Sequence, residues 1–332
     1  MSESSPNSLH LNTAESFESF GCVLYAFMIK FYWTARGPVF PEEVFLTMRK
    51  DIFLPVLALA GGAVGFLLRL WQYASAYDPS TELFAHGAPA SLALVVWTVL
   101  MGALALLLGR GGTAAEKPEQ SFLCPSTDYM TVMTAGGMCF LLSAAAGVPE
   151  LMYQYQAWQI DPQHNMLPVA FGLSVLFCLV GSIGALVSGR NNYRGVTGLQ
   201  VRAPAALPAY AALPWLMALY QEDSRDPILI RVFVPLLAAV FLLLALYQQA
   251  AFFYRRPHPV RFTFFAVMGI SLGLASLADR PGLFQILSTL SFVLCTLGAL
   301  MALSRNRFGP SRPVQTPDGP RMPQPESGPV EE

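Results

Sequence analysis

Apolar residues in this chain neither alternate with polar ones nor form the one-sided stripe of a surface helix. They come in long runs, at Phe53–Tyr73, Ala90–Gly109, Met130–Gly147, Leu167–Gly189, Ala203–Tyr220, Ile228–Phe253, Phe262–Ala278 and Gly282–Leu303. Roughly 20 apolar residues in a helix cover a hydrocarbon layer about 30 Å thick, in which backbone groups find no water to bond. The pattern therefore predicts an all-α, polytopic transmembrane helix bundle of about eight spans. Outer-membrane barrels need short strands of alternating polarity, which these runs do not supply. The fifth run is the weakest, because Pro204, Pro208 and Pro214 each remove a backbone donor and argue against a straight helix.

Composition agrees with that class. Hydrophobic residues make up 54% of the 332 and charged ones only 12%, half the share of about 25% usual in soluble domains. The charges are sorted. With Arg49 and Lys50 placed in the cytoplasm, every loop cation from there onward lies on the same side except Arg225 and Arg280, while Asp78, Glu82, Glu150, Asp161, Glu222, Asp223, Asp226 and Asp279 lie opposite. Dropping the fifth span would export Arg255, Arg256 and Arg261, so the positive-inside bias argues for keeping it and for two cytoplasmic termini in a cell membrane. A net charge of −1 without a basic stripe gives nucleic-acid binding no support.

The two ends read differently from the middle. Residues 1–47 hold a short apolar run broken by Lys30, too short and polar for a span, and lack the cationic start of a signal peptide. Met48-Arg49-Lys50 before the first long run is the natural start of such a protein, so 1–47 reads as a doubtful leader, with an amphipathic or ninth membrane segment as the rival. Residues 48–304 form the bundle, and 305–332 read as a disordered, Pro-rich cytoplasmic tail. No cysteine spacing resembles a zinc site, and neither a cofactor nor a disulfide is expected.

Trp71-Gln72 precedes Asp78-Pro79, Trp158-Gln159 precedes Asp161-Pro162, and Tyr220-Gln221 precedes Asp226-Pro227, which suggests helical hairpins. Interfacial aromatics and Asp-Pro pairs serving as helix N-caps account for the theme; ancestral duplication is the sharper alternative. Gly61-x-x-x-Gly65 and Gly269-x-x-x-Gly273 permit close helix approach, within the chain or between two copies.

Candidate contacts with a ligand or with lipid headgroups are Arg69, Trp71, Asp78, Trp158, Asp161, Asp226 and Arg231. Arg69 and Arg231 stand out because an Arg at mid-bilayer costs roughly 2.5–3.5 kcal/mol. Both lie near an outer boundary, so snorkelling to headgroups is the expected solution, with pairing to Asp78, Glu150 or Asp226 as the alternative. His86 and His164 share the acidic side with Asp78 and Asp161, but their spacing resembles no zinc motif. Tyr73, Tyr77, Tyr153, Tyr155 and Trp158 suit an aromatic belt or a cation-accepting mouth. No phosphate-binding loop, intramembrane Ser–His pair or carboxylate pair is present, so no catalytic residue is assigned.

The run Leu68-Arg69-Leu70-Trp71-Gln72-Tyr73-Ala74-Ser75-Ala76-Tyr77-Asp78-Pro79, with Glu82, His86-Gly87-Ala88-Pro89 and Asp226-Pro227, resembles an uncharacterised family of multi-pass bacterial membrane proteins. The resemblance implies the fold and carries over no activity. The expectation is a non-enzymatic scaffold, accessory or sensor subunit. A secondary transporter with a site between kinked spans five and six is the alternative, and an intramembrane enzyme a distant third. Beyond the lipid bilayer, a second copy or a neighbouring membrane subunit is the partner class left open.

Two measurements on native material check these expectations. Intact-mass analysis should find a chain starting at Met48, and a peptide from residues 1–47 refutes that start. Alkaline phosphatase fused after Arg256 should be inactive; activity there overturns the orientation.

Overall fold

The chain divides into two units, Met1–Met48 and Arg49–Glu332. The computed structural model describes residues 50–309, apart from 79–82, 86, 113–117, 163–166, 197–198, 224–228 and 255. The leader and the tail beyond 309 lie outside the described residues.

Among the described residues eight α-helices follow one another: α1 (Lys50–Ala76), α2 (Pro89–Leu108), α3 (Thr127–Ile160), α4 (Val169–Tyr193), α5 (Leu199–Asp223), α6 (Leu229–Phe253), α7 (Pro259–Ser276) and α8 (Leu283–Phe308). Short 3₁₀ turns occupy Pro118–Phe122 and Leu277–Asp279. The fold is the expected all-α bundle, and seven of the helices are long and apolar enough to cross a membrane. These make the chain a multi-pass membrane protein.

The helix outside that set is α5. It nevertheless runs unbroken over 25 residues through all three of its prolines. Its composition explains both facts: alanines lower its apolarity, and the same small side chains let it pack closely. Ala211 and Ala212 are fully buried, and a Cβ on Gly184 of α4 would lie 2.6 Å from Leu207 and 3.0 Å from the Pro204 carbonyl. Small residues at an interface are what close helix approach requires in lipid.

Helix α3 is longer than the apolar run that announces it. The run stops at Gly147, whereas the helix continues through Pro149 to Ile160, 34 residues in all. That is about 51 Å at helical rise, more than hydrocarbon thickness requires. Its last turns, rich in Tyr and Gln, end hydropathy without ending helix propensity. Met152, Tyr153 and Ile160 there are exposed.

Successive helices run in opposite directions between two ends. At the basic end, the Ser304 hydroxyl of α8 donates to the Asp51 carbonyl of α1 at 2.9 Å, and Lys50 Nζ lies 5.7 Å from the Phe308 ring. The first and last described helical turns therefore meet. Helices α7 and α8 form the centre, with 78% and 72% of their apolar segments buried, against 33% for α2 at the periphery. Around them the outward faces of the other helices present large apolar side chains such as Leu67, Leu92, Leu176 and Met217, as contact with lipid tails requires.

Aromatic rings fill the centre. Phe292 of α8 stacks on Trp215 of α5 at 4.5 Å and meets Phe140 of α3 edge-on at 4.9 Å. Hydroxyls cross between helices where two backbones come close. Ser271 of α7 donates to the Ala58 carbonyl of α1 at 3.1 Å, and Ser143 of α3 to the Phe284 carbonyl of α8 at 3.3 Å.

Both Gly-x-x-x-Gly motifs face partners within the chain. Gly65 of α1 meets Trp97 and Ala275, Gly269 of α7 meets the backbone of Leu242 in α6, and Gly273 meets Val293 of α8.

The Asp-Pro pairs are not helix caps where the structure describes them. Asp78 sits in a two-residue β-strand, β1 (Tyr77–Asp78), antiparallel to β2 (Leu83–Phe84), and Asp161 closes the C-terminus of α3. Proline opens a helix instead at Pro89, after Ala88, and at Pro259, after His258. The rule of proline in the first turn holds, but without an acidic cap before it.

A Cβ at Gly269 would lie 3.0 Å from Leu242 N and 3.2 Å from its Cα, backbone that cannot swing aside. Gly269→Leu should therefore destabilise the bundle by about 1–3 kcal/mol. Gly282→Ala, where nothing lies within 4 Å, should be neutral. Thermal unfolding in detergent checks the pair, and equal melting temperatures refute the packing argument.

Candidate functional site: a buried ion pair at the acidic end

Arg69 lies seven residues before the end of α1, about 10 Å back along the helix axis. It does not snorkel. Its side chain is fully buried, and Nε donates to Asp279 Oδ1 at 2.7 Å, from a carboxylate only 6% exposed. A guanidinium so placed in a low-dielectric bundle requires a counter-charge and filled hydrogen bonds. Asp279 supplies the charge, Gln72 Oε1 accepts from Nη1 at 2.7 Å, and the Tyr73 ring lies 5.1 Å from the guanidinium carbon.

Helical spacing builds this arrangement. Gln72 is three residues after Arg69, on the same face of α1. Its amide then donates to Ser91 Oγ of α2 at 2.8 Å, which carries the network across to a second helix. Asp279 comes from the turn between α7 and α8, where Arg280 adopts the left-handed conformation at φ 52°. One buried cation thus ties together α1, α2 and the α7–α8 corner. Its partner is none of Asp78, Glu150 or Asp226, the carboxylates expected from sequence. Asp279 was legible as an acidic-side turn residue, and only its distance along the chain concealed the pairing.

The other candidates do not gather around it. Trp71 points outward, 46% exposed. Trp158 stacks on Tyr155 at 5.8 Å on the extension of α3, while Tyr73 and Tyr77 form a separate edge-on pair at 5.8 Å. Of the five aromatics, Tyr73 reaches the buried cation, and Tyr153 is exposed. Asp161 caps α3 through its backbone N–H to the Ala157 carbonyl at 3.1 Å. Asp78 is placed by its backbone in β1, and Arg231 lies in the first turn of α6; their side chains, with Asp226, His86 and His164, lie outside the described residues. Among the described residues no group of three His, Cys, Asp or Glu could hold a metal ion.

Among the described residues, two cavities between the helices each hold about 20 Å³, room for a water molecule. One lies between α5, α6 and α8, bounded by Trp215, Pro235, Gln285 and Thr289, with the buried Trp215 Nε1 making no hydrogen bond. The other lies at the basic end, against the 3₁₀ turn at Pro118–Phe122. Neither contains the Arg69–Asp279 pair among its lining residues.

No family model, curated protein or solved structure matches this chain.

The buried pair predicts a non-additive response. Arg69→Leu or Asp279→Leu alone leaves an uncompensated buried charge and should cost about 3–5 kcal/mol. The double variant should be more stable than either single one. A double-mutant cycle on thermal unfolding measures this coupling, and additive losses refute the pair.

Proposed function

We propose that this protein is a non-enzymatic subunit of a bacterial cell membrane, acting as a scaffold, accessory or sensor. The basic end and both termini face the cytoplasm. The observation that supports this reading is the filled centre of the bundle: α7 and α8 are largely buried, and the Trp215, Phe292 and Phe140 rings pack together between α5, α8 and α3. A charged group at the acidic end is used for fastening helices, through Asp279 and Gln72. Its lipid-facing sides leave the extended, aromatic end of α3 as the surface for a neighbouring subunit or a second copy.

A transporter is the second reading, favoured by the cavity between the proline-bearing helices α5 and α6, with Gln285 and Thr289 on its wall. The two readings differ in water access. Thr289→Cys, tested with a membrane-impermeant maleimide in vesicles of either orientation, should stay unlabelled from both sides in a subunit that never opens. Labelling from each side in turn would establish the transporter instead. The tagged protein, extracted in mild detergent, should migrate with a larger assembly; migration as a free monomer of 36.1 kDa sinks the subunit role.

A further inference from the structure

The connection between α2 and α3 covers the bundle at its basic end. Phe122 leaves the 3₁₀ turn and inserts among aromatic rings, 2% exposed, with centroids 5.0 Å from Phe252, 5.9 Å from Phe253 and 5.3 Å from Phe262. Two asparagines from other helices hold the backbone behind it. Asn192 of α4 accepts from the Cys124 N–H and donates to the Phe122 carbonyl, both at 2.7 Å. Asn306 of α8 donates to the Ser121 and Leu123 carbonyls at 2.9 Å and the Gln120 carbonyl at 3.3 Å. Side chains so distant in sequence, serving one short segment, form a clasp.

Beneath the clasp is the second cavity. Tyr129, Ser188, Asn192 and Gln249 present polar groups to it, each more than nine-tenths buried, and Phe122 and Phe253 form apolar walls. None of its lining residues is charged. Ser188 Oγ is buried and makes no hydrogen bond within the protein, whereas buried polar groups nearly always find a partner.

We propose that this cavity is a binding site for a small, uncharged, hydrogen-bonding solute of the polyol or amide class, and that the Phe122 segment is its lid. The hydroxyls and amides there both donate and accept, which suits such a solute. An ion would enter a buried site with no counter-charge, at a large desolvation cost. The cavity as it stands has room for about one water, and withdrawal of Phe122, which forms one of its walls, would make room for a larger solute. This site stands apart from the subunit role above and does not depend on it.

The test uses the full chain with Cys22→Ser and Cys124→Ser, and a reporter thiol at Ala205→Cys, a lining position that is 4% exposed. The rate of modification by methyl methanethiosulfonate is read in detergent. Asn306→Ala releases the lid from a position outside the cavity and should raise the rate about tenfold, as expected for the loss of hydrogen bonds of ordinary strength. Phe122→Ala gives the same readout if that variant does not fold. In the released form, molar glycerol or urea should slow modification about threefold, the protection given at twice a Kd. Tetramethylammonium and acetate should not, and Ser188→Ala should abolish the protection. An unchanged rate in both released variants overturns the lid. Absence of protection by glycerol and urea means a site for water only and overturns the ligand. Equal protection by the ions overturns the assignment of class.

Discussion

Helices inside a bilayer gain nothing from hiding apolar surface from one another, because lipid tails are as apolar as leucine. Contact at short range has to hold them, and on α7 it is made with three neighbours at once. Gly269 brings the backbone of α6 against it, Gly273 admits Val293 of α8, and on its other side Ala275 meets Gly65 of α1. Each of these contacts requires a residue with little or no side chain on at least one helix. The hydroxyl of Ser271, which reaches the Ala58 carbonyl of α1, depends on that spacing.

The Arg69–Asp279 pair imposes a different constraint. Close packing tolerates small rotations of a helix about its axis, whereas a buried guanidinium with a carboxylate at 2.7 Å does not. Gln72 extends the same demand to Ser91 on α2. The pair is thus best understood as fixing register among helices whose apolar surfaces alone would fit in several ways. Buried ionic groups contribute little net stability, and selection of one arrangement among many is the role for which they are best attested.

Much of the fold was legible in sequence because hydrocarbon permits so few backbone arrangements. Run lengths located the eight helices, and the sorting of Arg and Lys kept α5 among them despite its prolines. The polar extension of α3 was hidden because hydropathy records solvent preference, and Tyr-Gln repeats are as helical as they are interfacial. Asp-Pro pairs misled because Asp78 lies in a strand and Asp161 at a helix end, instead of capping the next helix. The candidate site was half visible. The cost of burying Arg69 marked it, but its partner lies 210 residues away, beyond any local spacing rule. Asn192 and Asn306 gave no signal, since an asparagine near a helix end is ordinary and only the fold brings both to one segment.

The distance between Arg69 and Asp279 also bears on how the protein is made. Helix α1 precedes the other described helices in the chain, yet apart from α2 its neighbours are α7 and α8, which follow about 200 residues later. At roughly 5–20 residues per second, the carboxylate that neutralises Arg69 emerges from the ribosome about 10–40 s after the guanidinium. During that interval the cation must be accommodated by Gln72, by Tyr73 or by phosphate at the membrane surface. The fold thus leaves the most demanding charge of α1 to be neutralised by a residue made 210 positions later.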